Sequence, residues 1–143
     1  MYEPKSFDDL RVNDRVSLSK TITEADGALY IAATGDFGPV HVDEVYAGAT
    51  RFGRRLAPGI MVAGLCTSIL TSELVGTIGV SVEDRFWFTG PVFYGDTLTF
   101  DVWIAEQHDE TRTIIWEASA RNEGGLEVLK ARASLKFPRR KPS

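Results

Sequence analysis

The stretch "ATGDFGPVHVD", residues 33–43, places an aspartate, Asp36, five residues before a histidine, His41, with Gly38 and Pro39 between them. Carboxylate and imidazole are side chains that pass protons near neutral pH once their surroundings tune them. Facing one water, such a pair can take a proton from it and return a proton elsewhere. A fully extended chain would hold the two up to ~17 Å apart, so they share a site only if the backbone turns sharply. Gly38 relieves the steric limits on the backbone and Pro39 fixes φ, which suits "FGPV" to that turn. The same residues have a plainer use. Asp36 can close an Asx turn, and His41 can cap a helix beginning near Val42. The motif alone leaves both uses open.

Such a turn needs elements on either side to hold it. "DRVSLSKTIT" alternates as a first strand, Arg15 to Ile22. Thr23 suits a helix N-cap, with Glu24 and Asp26 in the first turn, where the helix dipole favours acids. The helix "EADGALYIAAT" then ends at Gly35, a fitting C-cap. After the Asp36–His41 turn, "VDEVYAGA" reads as a short helix. "APGIMVAGLCTSILTSELVG" carries no charge from Ile60 to Leu70 and is apolar all round, the pattern of a helix buried on every side. From Gly59 to Leu74 it would span roughly 24 Å, about the width of a small domain. A sheet must cover it. "SVEDRFWF", "DTLTFDVWIAEQ", "TRTIIWEASARN" and "LEVLKARASLKF" read as four strands separated by the turn signals "YGD", "QHDET" and "EGG". In the last, Leu129, Ala131, Ala133, Leu135 and Phe137 share one face and Lys130, Arg132, Ser134 and Lys136 the other, as in an antiparallel sheet packed on one side. The fold expected is α+β, a curved antiparallel sheet closed around one long apolar helix.

The totals bound the rest. The 143 residues suit a single domain, 1–143, and 43% hydrophobic with 25% charged residues is a globular composition. A net charge of −4 does not point to a nucleic-acid partner. Basic residues gather in "RFGRR" (Arg51, Arg54, Arg55) and in the end "RRKPS", both readable as solvated surface and the latter as a frayed terminus. Cys66 is the only cysteine and sits in an apolar run, so it reads as core and no intrachain disulfide forms. Two histidines and one cysteine without clustered spacing argue against a metal site. "MYEPKSFDDL" lacks the pattern of a signal peptide, and no segment reaches the ~18 apolar residues of a membrane span. A cytoplasmic protein without cofactor or membrane partner is expected. Trp87, Trp103 and Trp116 read as sheet packing, and His108 as an exposed hairpin residue.

The ordered motifs "TITEADGALYIAATGDFGPVH", "APGIM" and "FTGPVFYGDTLTFDV" resemble the MaoC-like hydratases and dehydratases, including the (R)-specific enoyl-CoA hydratases. They match that family's "GD-x-N-P-x-H" signature, the start of its central helix and its "PV-x-x-GD-T" turn, across nearly the whole chain. Two positions depart from the pattern: Gly38 stands for asparagine, and Pro58 for the histidine of "HG". The resemblance implies the hot-dog fold and the addition of water to a 2-enoyl thioester of CoA or acyl-carrier protein, or the reverse. It implies that Asp36 and His41 hold and activate the water, without deciding which is the base. It implies that the Gly59 N–H polarises the thioester carbonyl, where residues alone allow an ordinary buried helix start. Pro58 suits the first turn, leaving the amides of Gly59, Ile60 and Met61 free. Arg51, Arg54 and Arg55 are candidates for CoA phosphates, beside a plain solvated loop. The resemblance further implies a homodimer or dimer of dimers. Two rival readings stand: an acyl-CoA thioesterase on the same fold, and a non-catalytic partner subunit of a heterodimeric hydratase.

Overall fold

Thr23 starts the first helix as its spacing predicts. In a computed structural model, which describes residues 4–76 and 79–139, α1 (Glu24–Thr34) begins with a capping box. The Asp26 N–H donates to the Thr23 hydroxyl (3.1 Å), and the Thr23 N–H to the Asp26 carboxylate (2.9 Å). The Thr23 N–H, Lys20 and the Thr23 hydroxyl, which all donate to its oxygen, hold the Asp26 carboxyl below its ordinary value. A depressed carboxyl contributes stability above the ordinary carboxylate range and loses it as pH falls through the folded value. Thr23→Ala is therefore expected to destabilise the fold by about 1 kcal/mol at neutral pH. Urea unfolding at pH 7 and below pH 4 should show the gap between variant and wild type narrowing in acid. Gly35 closes α1 in the left-handed conformation, φ 75°, its N–H on the Ile31 carbonyl.

Among the described residues, five strands form one antiparallel sheet: β1 (Arg15–Thr21), β2 (Val80–Phe88), β3 (Thr97–His108), β4 (Thr113–Arg121) and β5 (Glu127–Lys136), in spatial order β1-β3-β4-β5-β2. Alternation sets the faces. Leu98, Phe100, Val102 and Ile104 of β3 meet Ile114, Trp116, Ala118 and Ala120 of β4 and the predicted stripe of β5, all buried. A register shift after Ala120 leaves Val128 as an extra residue, turned inward. The helix that fills this face runs Gly59–Ile69 and continues as a π-helical segment, Leu70–Val75. The Thr71 hydroxyl donates to the Thr67 and Ser68 carbonyls there. Antiparallel sheet plus central helix is the expected α+β hot-dog architecture.

Three expectations need correction. The central helix is not buried all round: Ile60, Gly64 and Ser68, spaced four apart, form an exposed stripe, because the sheet covers only one side. The short helix expected after the motif is α3 (Glu44–Gly48), capped by the Asp43 carboxylate at the Val45 and Tyr46 amides, but a further helical turn, α2 (Pro39–Val42), lies within the motif itself. We number the central helix Gly59–Ile69 as α4. Of the tryptophans, Trp116 is fully buried, whereas Trp87 on edge strand β2 stands opposite Lys130 and is half exposed. The basic end beyond Arg139 lies outside the described residues. Among the described residues no helix is long and apolar enough to cross a membrane.

Candidate active site

Gly35 sends the chain out of α1 and Gly38 starts α2, so Asp36 and His41 sit on opposite sides of a tight turn. The His41 N–H donates to the Gly38 carbonyl at 2.8 Å. Gly38 does not serve the turn through an unusual backbone, since its φ is −51°. It serves through space: a Cβ there would lie 3.2 Å from the His41 ring and 3.4 Å from Asp36 Oδ1.

The Asp36 carboxylate has two employments. Oδ1 accepts from the Gly38 N–H at 3.3 Å, the Asx turn. Oδ2 lies 4.0 Å from His41 Nε2. The other ring nitrogen, Nδ1, is 2.8 Å from the Leu56 carbonyl oxygen. A carbonyl only accepts, so Nδ1 carries the proton, and in the neutral ring Nε2 presents its lone pair toward Asp36. A gap of 4.0 Å is too long for a direct bond, but a water about 2.8 Å from each atom would bridge it at roughly a right angle. His41 is thus held by its side chain and caps nothing; the capping role belongs to Asp43. The ring is mostly covered, its side chain 18% exposed, while Asp36 is 46% exposed.

The helix start adjoins this pair through Leu56. Besides accepting from the His41 Nδ1–H, Leu56 donates its N–H to the Val40 carbonyl (3.0 Å) and bridges to Phe93. Two residues on, Pro58 is the N-cap of α4 rather than part of its first turn. Its carbonyl accepts from Met61 at 3.1 Å and Val62 at 3.4 Å, so the Met61 amide is engaged. Among the described residues no acceptor meets the Gly59 or Ile60 N–H. The open side of Gly59 is taken by the Phe88 ring, whose carbons would stand 3.1 Å from a Cβ.

The turn "PVFYGD" frames the site. Gly95, at φ 96°, lets it reverse, and its N–H reaches the Ile22 carbonyl at 2.7 Å. Val92 accepts from Ala57 at 2.8 Å, and the Tyr94 hydroxyl donates to the His41 carbonyl at 3.3 Å. One turn thereby ties the start of α1, the approach to α4 and the His41 segment. A cavity of about 260 Å³ opens beside His41, with Ile31, Ala32, Phe37, Val42 and Tyr94 in its wall. A larger cleft, about 720 Å³, lies at the β3–β4 hairpin and contains neither Asp36 nor His41.

The arginines separate. Arg55 is ion-paired with Glu24 and Glu44 and is the cation least free for a ligand. Arg54 lies over the Phe93 ring (3.9 Å) and 4.0 Å from Asp96; Arg51 lies over Phe52 and is exposed. Cys66 is fully buried, and burial pushes its thiol up to about 12, so it remains a protonated core side chain. His108 is exposed and 2.8 Å from Glu106. Sequence reasoning missed the Leu56 carbonyl, the Tyr94 hydroxyl and the Glu24–Arg55–Glu44 bridge; Tyr94 and Glu24 stood in quoted motifs, but nothing in those motifs announced these contacts.

Residues 12–123 match the family model described as "MaoC like domain". An (R)-specific enoyl-CoA hydratase of Rhodospirillum rubrum is 31% identical over 134 residues, 94% of this chain and 92% of that protein. A 3-hydroxybutyryl-CoA dehydratase of Methylorubrum extorquens is 33% identical over 134 residues, 94% of this chain and 85% of that one. Among solved structures, the unliganded R-hydratase PhaJ1 from Pseudomonas aeruginosa superposes with a TM-score of 0.86 at 26% identity, over 96% of this chain and 88% of the other.

Proposed function

The chain belongs to the MaoC-like dehydratase family, and from that premise we propose that it hydrates 2-enoyl-CoA thioesters and dehydrates the matching 3-hydroxyacyl-CoA. The observation that carries the reading is the 4.0 Å gap between Asp36 Oδ2 and His41 Nε2, with the imidazole tautomer set by the Leu56 carbonyl. Water held in that gap offers one hydrogen to each acceptor. As its oxygen closes on C3 of the enoyl group, the pair takes a proton from it and returns one to C2. The hydroxyl goes to C3 and the hydrogen to C2, so the elements of water are accounted for. Negative charge gathers on the thioester oxygen on the way. In this reading the unmet amides of Gly59 and Ile60, at the positive end of α4, receive it. Arg51 and Arg54 are the arginines left to meet CoA phosphates.

Purified protein given crotonyl-CoA is expected to form (R)-3-hydroxybutyryl-CoA with the thioester intact, followed by loss of conjugated thioester absorbance with free thiol measured in parallel. The (R) hand comes from the family. Free CoA appearing as fast as substrate disappears, with no hydroxyacyl product, would replace this reading with a thioesterase.

Assembly is part of the proposal. Edge strand β2 leaves Val80, Val82, Trp87 and Phe88 exposed, and the stripe of α4 beside it begins with Ile60, 60% exposed. An apolar edge strand with unpaired backbone invites pairing. We expect two copies to join along β2 in a homodimer, alone or within a dimer of dimers. Sedimentation at micromolar concentration should give at least a dimer, and Val82→Lys should weaken it. A monomer would count against this edge as an interface.

A further inference from the structure

Helix α2, which carries His41, is a single turn with no side-chain cap at its start. One turn has no stability of its own. The direction of the His41 ring is therefore set by what grips α2 from outside. Leu56 holds it twice, through the ring Nδ1–H and the Val40 carbonyl. The third grip comes from the Tyr94 hydroxyl on the His41 carbonyl oxygen, 3.3 Å.

The surroundings of Tyr94 fit that task. Its ring lies against α1 at Gly27, where a Cβ would stand 2.5 Å from both ring and hydroxyl. No larger residue leaves room for the ring in this position. The Arg55 guanidinium lies 5.3 Å from the ring centroid and is itself held by Glu24 of α1 and Glu44 of α3. Gly95, the next residue, anchors the turn to Ile22. The hydroxyl is a steady donor as well: burial raises it above its ordinary value, so it keeps its proton through the working range.

We propose that Tyr94 is a positioning residue, fixing through the His41 carbonyl the angle at which Nε2 faces Asp36, with Gly27 as the notch that admits its ring. It acts through His41 rather than on the reacting atoms. The inference rests on the hydratase reading for its kinetic consequence, but not for its structural one.

Tyr94→Phe removes only the hydroxyl. With crotonyl-CoA it is expected to lower kcat about tenfold while KM stays within about twofold, since a small misdirection of a catalytic group acts on turnover. The melting temperature should stay near that of wild type. Gly27→Ala, which displaces the ring, should lower the same parameter at least as far. The independent readout is the imidazole nitrogen spectrum by NMR. In wild type, His41 should show one tautomer, protonated at Nδ1; in Tyr94→Phe it should move toward a mixture. His108, the only other histidine, serves as the internal control. The proposal is overturned if the His41 resonances are unchanged in Tyr94→Phe, whatever the rate. It is also overturned if KM rises with kcat intact, which would make the hydroxyl a group that binds substrate rather than one that positions His41. If wild type hydrates no enoyl thioester, the hydratase reading fails by itself, and the His41 spectrum alone decides whether Tyr94 positions the ring.

Discussion

Asp36→Asn is expected to lose at least ~10² in hydratase turnover, the usual scale of general acid–base catalysis, while the protein stays folded. The geometry makes this substitution unusually clean. Oδ1 of Asp36 closes the turn on the Gly38 N–H, and an asparagine amide oxygen can accept the same bond. The other oxygen, 4.0 Å from His41 Nε2, becomes an NH₂ that cannot accept a proton from water. The variant therefore keeps the Asx turn and loses the carboxylate, which separates the two uses the sequence left open. His41→Ala should lose at least as much, because no proton carrier remains opposite Asp36. It also frees the Leu56 carbonyl, so His41→Asn is the better companion: its amide can still donate to Leu56 but leaves the Nε2 position empty. The Asp36→Asn, His41→Ala double variant should be little slower than the poorer single, since groups that handle one water act as a unit. Steady-state hydration of crotonyl-CoA, with circular dichroism as the folding control, decides it. Full activity in either single variant would remove that residue from the mechanism.

How far the sequence carried this picture follows from the range of the forces involved. Strand alternation and helix caps are local, so the five strands and the Thr23 and Gly35 ends of α1 were legible to within a residue or two. The Asp36–His41 turn was legible for the same reason, because glycine and proline act on their own dihedrals. What escaped was tertiary. The tautomer of His41 depends on the backbone carbonyl of Leu56, a group every residue carries and no residue type announces. Gly38 was read as a backbone hinge, but its φ is ordinary and its missing side chain is what matters, because the ring and carboxylate close over it. The exposed stripe of α4 was invisible because isoleucine, glycine and serine in an uncharged run serve equally under a sheet or at a surface. Arg55 looked like its neighbours in "RFGRR" until Glu24 and Glu44 were found on either side of it.

The same lesson changes how the helix start must be tested. Gly59→Val is expected to cost roughly 3 kcal/mol of transition-state stabilisation, the scale for losing one oxyanion donor. From the sequence, the reason was that a branched side chain would crowd the acyl oxygen away from the amide. In the fold, the space over Gly59 belongs to the Phe88 ring, 3.1 Å from where a Cβ would stand. A valine must first push that ring, and activity could fall through displaced packing rather than a lost donor. Phe88 is half exposed on an edge strand, so it can yield without unfolding the protein. The decisive comparison is thus made where the ring is gone. Phe88→Ala alone sets the reference rate, and Gly59→Val is added to it, with melting temperatures measured for both. If the amide carries the enolate charge, the added valine should still cost about 10² in turnover, because it shields the N–H itself. If the Phe88→Ala, Gly59→Val double variant is as active as the Phe88→Ala reference, the loss seen in the wild-type background was packing. The charge would then have to be met elsewhere, and the Ile60 N–H, the other unmet amide at this helix start, is the next donor in line.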